Sequence, residues 1–185
     1  MFKFNTEQQK NIIKWATTPW INGLTYKKIK KEDRKIAAKK EKEWGNKLIN
    51  MTNNGNWTTR LGEGIVHDIL INKNENPRRP TKLCCYNPDW ETDKYIYEVK
   101  TSNWTVGGTA GEKVLGTMYK YSDIPVVYNK PLKIICIAWQ EHDFINGNTK
   151  IFGDISENKK KFLDLAKTMD IEYIKFSDFI KDIQL

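Results

Sequence analysis

Residues 87–101 read NPDWETDKYIYEVKT. They constrain the fold more than any other stretch, because two acids stand inside what reads as two short strands and a turn. With Asp93 and Lys94 as the central turn pair, Thr92 faces Tyr95 and Asp89 therefore faces Glu98. Directly opposed residues have Cβ atoms about 4.5–5.5 Å apart and share a face, so like charges there repel. Lys100, two residues beyond Glu98, shares that face, and a slip of one residue would break the arrangement. Asp-Lys suits a two-residue turn poorly, so a longer loop centred on the same point is expected. A sheet that accepts these acids needs positive charge between them. Lys100 supplies part of it, and Mg²⁺ or Mn²⁺ held by hard oxygen ligands would supply more.

The rest of the chain reads as a single domain. Its 185 residues suffice for a real hydrophobic core, and 29% charged with 12% aromatic residues excludes a disordered chain. A net charge of +8 and a pI of 9.2 favour a polyanionic partner such as nucleic acid, with an anionic membrane surface as the competitor. No segment approaches the apolar length of a membrane span, and MFKFNTEQQK lacks a signal-peptide core. Cys84, Cys85 and Cys136, an odd count in apolar strand-like runs without C-x-x-C spacing, point to a reduced, cytoplasmic protein.

Thr6 followed by Gln9 resembles a capping box and predicts a first short helix. Residues 26–50 read as a long polar helix, and 27–47 carry ten basic against four acidic side chains. Two readings stay open for it: a solvated face with i,i+4 ion pairs, or an arm laid along phosphates. In NNGNWTTRLGEGIVHDILI, Leu61, Ile65, Val66, Ile69 and Leu70 recur at helical spacing, with Glu63 at the edge of that apolar face. KLCCY, YIYEVKT and LKIICIAW are strand candidates. A glycine-rich loop and a short helix lie between the last two. NGNTKIFGD predicts a turn with a strand, SENKKKFLDLAKTM a helix capped by Ser156, IEYIKF a last strand and FSDFIKDIQL a terminal helix. The order is helices, a strand meander, a helix, then strand, helix and strand: a mixed α/β fold. It divides into a basic helical arm at 1–50, a core at 58–140 and a completing segment at 141–185.

Acid-x-Lys occurs three times, at Asp33/Lys35, Glu98/Lys100 and Glu157/Lys159, but only Glu98/Lys100 lies in an apolar strand pattern. It also follows the chain's single Pro-Asp, Pro88-Asp89. Pro88-Asp89 with Glu98-Val99-Lys100 resembles the signature of the PD-(D/E)XK nuclease superfamily. The nearest likeness is to small Type II restriction endonucleases and large-DNA-virus nucleases. The resemblance implies a restriction-endonuclease-like core, a mixed sheet flanked by helices, and Mg²⁺-dependent hydrolysis of DNA phosphodiester bonds, with Mn²⁺ as a substitute. It implies that Asp89, Glu98 and the Val99 carbonyl ligate the metal, that Glu63 joins from the preceding helix, and that Lys100 acts on the attacking water or on the phosphate. A sequence-specific cutter of duplex DNA would be a homodimer, since twofold symmetry suits a palindromic site. A repair, recombination or nicking nuclease with the same site is the alternative. A non-catalytic basic nucleic-acid-binding module is the competitor from outside the enzymes.

Further DNA contacts are expected at Arg60, at Arg78 and Arg79 in NPRRP, and at Thr101, Ser102, Asn103 and Trp104 after the catalytic strand. Gly107, Gly108 and Lys113 in GGTAGEK lack P-loop spacing, and either a phosphate-approaching backbone or a plain loop suits them. His67 and His142 lack the partners of a zinc site or a nucleophilic triad and read as surface residues. Most of the seven tryptophans read as packing residues.

Overall fold

A computed structural model describes residues 4–21, 24–25, 31–50, 57–105 and 110–183. Helix α1 (Thr6–Thr17) leads into a small hairpin, β1 (Trp20–Ile21) and β2 (Leu24–Thr25), and then into α2 (Lys31–Leu48) and α3 (Trp57–Asn72). A four-stranded sheet follows in the order β3 (Trp90–Glu91), β4 (Ile96–Ser102), β5 (Leu132–Ala138), β6 (Ile171–Lys175). Only β3 runs antiparallel; β4, β5 and β6 are mutually parallel. The expected meander is therefore a single hairpin followed by two crossovers. The first crossover carries α4 (Ala110–Lys120) and α5 (Ile124–Tyr128), the second α6 (Trp139–Asn146) and α7 (Glu157–Thr168), and α8 (Phe176–Phe179) closes the chain.

The fold is a mixed α/β arrangement with helices flanking a mixed sheet. One core joins Tyr97, Val99, Ile135 and Ile137 to the apolar face of α3 and to Trp15 of α1. The other joins Ile96, Ile134 and Cys136 to Met118, Phe144 and Ala166 from α4, α6 and α7. Burial on both faces fixes the register of β4. A one-residue shift would drive the charges of Glu98 and Lys100 into the apolar core under α3, where an unpaired charge is costly.

Several local expectations are corrected. The capping box of α1 uses Asn5 and Gln8, one residue before Thr6 and Gln9. The polar helix is described from Lys31, and residues 26–30 lie outside the described residues. KLCCY is a tight turn and not a strand: Tyr86 N–H donates to Leu83 O at 2.8 Å, with φ of 44° and 67° at Cys84 and Cys85. Those left-handed values reverse the chain where a strand would extend it. Residues 147–155 form no strand, although Ile151 and Phe152 N–H groups donate to Phe144 O and secure the turn. Helix α6 was not expected. It starts directly at the end of β5, where Ala138 takes φ 58° and ψ −125°, with no glycine or proline to mark the change. Among the described residues of FSDFIKDIQL, the short α8 is the only helix before the chain turns. No helix among the described residues is long and apolar enough to cross a membrane.

Candidate active site at the edge of the sheet

The β3–β4 hairpin forms in the expected register. Trp90 pairs with Tyr97 and Glu91 with Ile96, and Thr92 N–H donates to Tyr95 O at 2.9 Å. The turn is the short Asp93-Lys94 one, not a longer loop. Neither residue needs a positive φ; Thr92 Oγ1 instead accepts from the Lys94 and Tyr95 N–H groups at 3.3 and 3.2 Å. A threonine hydroxyl thus holds the turn that glycine would otherwise supply.

The ladder ends at Trp90, and Asp89 turns its carboxylate into the sheet. Asp89 Oδ2 accepts from Val99 N–H at 2.7 Å, in place of a strand partner. In a strand, the N–H and C=O of one residue point to the same edge, so the Val99 carbonyl faces the edge that β3 has left. Glu98, on the next position, is buried, and its Oε1 accepts from Lys100 Nζ at 2.5 Å. Its Oε2 is buried without a hydrogen-bond partner. Such an orphaned carboxylate oxygen is costly unless something occupies it.

Glu63 arrives from the far side of the edge. Gly62 makes this possible, because a Cβ there would lie 1.8 Å from Thr101 Oγ1, so only glycine lets α3 settle on β4. Glu63 Oε2 accepts from Arg79 Nη2 at 2.6 Å, and Arg79 Nη1 donates to Asp89 O at 2.8 Å. The guanidinium stacks 4.0 Å above the Trp90 ring, whose Nε1 donates to Glu63 O at 3.0 Å. Asp89, Glu98, Glu63, Lys100 and Arg79 therefore meet at one edge: three carboxylates against two cations when all are ionised.

The balance shows in the protonation equilibria. Burial first, and then the charges of Glu98 and Glu63, push the Asp89 carboxyl up to about 8 against the opposing Val99 N–H and Lys100. Burial also raises Glu98, opposed chiefly by Lys100 and then by the Tyr121 hydroxyl. Without further positive charge, this edge favours a proton on Asp89. A divalent cation fits what is missing: Glu98 Oε2, the second Asp89 oxygen and the Val99 carbonyl are hard donors on one edge. Among the described residues, no three His, Cys, Asp or Glu side chains cluster tightly enough to hold a metal. Two carboxylates plus water is the pattern that suits Mg²⁺, which keeps several of its waters.

Protein-family models, curated proteins and solved structures were all compared with this chain, and none matches it.

The other expected contacts scatter. Arg78 braces the hairpin, donating to Asp93 at 2.8 Å and Glu91 at 2.9 Å. Thr101 packs its hydroxyl under α3 against Gly62. Trp104 is buried, and its Nε1 donates to Trp15 O at 2.7 Å, so its ring is a packing element and not a stacking surface. Ser102 and Asn103 are half-buried at the strand's exit, while Arg60 and Lys113 are exposed on α3 and α4. Gly107 and Gly108 lie outside the described residues. His67 is no surface residue: its side chain is 12% exposed and its ring centroid lies 4.8 Å from that of Trp90. His142 packs against Trp104 and Trp139.

Tyr121 and Lys120, at the end of α4, went unnoticed in the sequence. Lys100 Nζ lies 5.9 Å from the Tyr121 ring centroid, and Lys120 Nζ lies 4.7 Å from it. The Lys120 charge favours ionised Glu98. Only the crossover after β4 brings them to the acids, and no local spacing signals it.

Proposed function

We propose that this chain is a Mg²⁺-dependent endodeoxyribonuclease with a restriction-endonuclease-like core, cutting duplex DNA as a sequence-specific homodimer. The observation that carries the reading is the half-buried Asp89 beside the buried Glu98 at the open edge of β4, with no hydrogen bond to Glu98 Oε2 and with Lys100 two residues on. The basic balance of the chain supplies the complementary attraction to a polyanion.

Asp89, Glu98 and the Val99 carbonyl would hold Mg²⁺, with Glu63 joining once it leaves Arg79. The ion's contribution when bound is to polarise the scissile phosphate and acidify a water. Lys100, half-exposed beside the acids, stabilises charge developing on the phosphate. Arg79, whose side chain is 56% exposed, offers its outer edge to an adjacent phosphate oxygen. The buried floor beneath Glu98 keeps bulk water from that side and strengthens these interactions.

Supercoiled plasmid incubated with the protein in Mg²⁺ or in EDTA tests this, beside Lys100→Ala and Asp89→Ala. Discrete Mg²⁺-dependent fragments, absent in both variants, are expected. Nicking or smearing with the same dependence would retain the site and move the role to repair or recombination. Intact plasmid that still shifts on a gel would leave a binding module.

A further inference from the structure

Glu41 lies on the buried side of α2, among Ala37, Trp44, Gly45 and Leu48, and none of its surface is exposed. A carboxylate in that position needs compensation, and four donors supply it. Trp15 Nε1 at 2.9 Å and Trp104 N–H at 2.8 Å donate to Oε1. Thr105 N–H at 3.2 Å and Thr105 Oγ1 at 2.8 Å donate to Oε2. The donors come from α1 and from the segment that leaves β4 directly beyond Ser102. Lys100 and Trp104 are four residues apart, roughly 13 Å of extended chain. Away from that side α2 exposes Lys35, Lys39, Lys40 and Lys47, with Arg34 exposed nearer the helix start and Asp33 and Glu43 as the exposed acids. One buried carboxylate thus couples a basic helix to the end of the strand that carries Glu98 and Lys100. One bond comes from α1, through Trp15; the other three, from Trp104 and Thr105, hold the strand's exit.

We infer that Glu41 is a positioning residue that locks α2 to the exit of β4, so that the cations of α2 and the acidic edge grip the same DNA duplex as one body. This rests on the nuclease reading for the identity of the partner, and it adds where the duplex backbone is held and by what. Each phosphate neutralised releases counterions and steepens the salt dependence of binding by about 0.9 in log–log slope. An untethered α2 contributes fewer such contacts.

The test is duplex binding in EDTA across a salt series, read by fluorescence anisotropy, for wild type, Glu41→Gln and Thr105→Val. Glutamine keeps one acceptor oxygen but loses the charge and the second acceptor, so at least the Thr105 N–H bond is lost and the hold on the strand exit is weakened. Thr105→Val removes one bond and leaves Glu41 intact, which serves should Glu41→Gln fail to fold. Expected are affinity weaker by about tenfold for Glu41→Gln and less for Thr105→Val, with salt slopes shallower by about one to two. Lys35→Ala/Lys40→Ala should weaken wild-type binding and cost less in the Glu41→Gln background, as coupled sites do. Lowered Tm with unchanged affinity and slope overturns the proposal, because a purely structural Glu41 gives that result. Additive lysine and Glu41 effects, or no duplex binding by wild type, overturn it too. Wild type that binds but does not cut in Mg²⁺ removes the nuclease reading and leaves this binding test standing.

Discussion

Glu41 and Glu98 are both withdrawn from water, and burial raises both carboxyls above the ordinary glutamate value, yet their surroundings differ. Glu41 accepts four hydrogen bonds, two on each oxygen. Glu98 has Lys100 on one oxygen and no hydrogen bond on the other; the Tyr121 hydroxyl favours its charge, and its own charge raises the Asp89 carboxyl. The contrast separates two uses of a buried charge. Around Glu41 the chain has supplied every partner and the carboxylate organises structure. Around Glu98 the described side chains leave one buried oxygen without a hydrogen bond, and burial raises its carboxyl.

If that contrast is right, mutations in the two regions fail in opposite ways. Lys100→Ala and Glu98→Gln should lower plasmid cleavage by about 10²–10³-fold, the scale for losing one preorganised electrostatic contact. Neither should lower Tm by more than a few degrees, since Glu98→Gln removes a buried charge. Glu41→Ala should do the reverse to the fold: four donors lose their acceptor, at a cost of about 3 kcal/mol or more. Chemical denaturation checks the second, and equal destabilisation by Glu98→Gln would erase the distinction.

The two regions also differed in how far the sequence announced them. Asp89, Glu98 and Lys100 could be placed because strand alternation and hairpin register are local arithmetic, and that register is the one observed. Glu63 was legible as an acid at the rim of an apolar helical face. Glu41 was not, because in a run of lysines and glutamates it looks like one more exposed charge; only its spacing with Ala37, Trp44, Gly45 and Leu48 sets it apart. Its donors lie 26, 63 and 64 residues away, and such pairing leaves no mark in local pattern. Trp104 was misread for the same reason, since nothing near it foretells the contact with Trp15. The errors at KLCCY and at α6 have a different origin. Both hinge on non-glycine residues at positive φ, Cys84, Cys85 and Ala138, where turn chemistry carries no glycine or asparagine signature.

Gly62 offers a finer probe of how the edge is assembled. Gly62→Ala puts a methyl group into Thr101, and relieving that overlap should cost about 1–3 kcal/mol. Because α3 also carries Glu63, cleavage should fall even at temperatures where the variant is fully folded. Thr101→Ser, which deletes the Thr101 methyl while keeping its hydroxyl, should cost less stability and leave cleavage close to wild type. Loss of stability in Gly62→Ala without loss of folded-state activity would mean that Glu63 is not positioned through this contact.

The pH dependence of stability reads the Asp89–Glu98 pair most directly. Asp89 titrates near its ordinary 3.8 when unfolded and up to about 8 when folded, so the native state holds more protons across that interval. Stability therefore falls as pH rises from about 4 to 8. Glu98 and Glu41 shift in the same direction. Asp93 and Asp178, held low by hydrogen bonds from Arg78 and Lys181 respectively, act in the opposite sense, but only below the ordinary aspartate range. In EDTA, Tm measured at pH 5, 6, 7 and 8 should decline step by step, and Asp89→Asn should flatten the decline. Its amide oxygen can still accept from Val99 N–H while the charge is gone. Mg²⁺ at pH 8 should restore wild-type Tm, by linkage to a site that ionised Asp89 and Glu98 create, and should do nothing for Asp89→Asn. The portion of the slope that belongs to Glu41 should survive Mg²⁺ untouched, because its four partners come from the chain itself. A slope that Mg²⁺ abolishes entirely would assign all of the strain to the acidic edge; one that Mg²⁺ leaves unchanged would mean that the orphaned Glu98 oxygen is not where a cation binds.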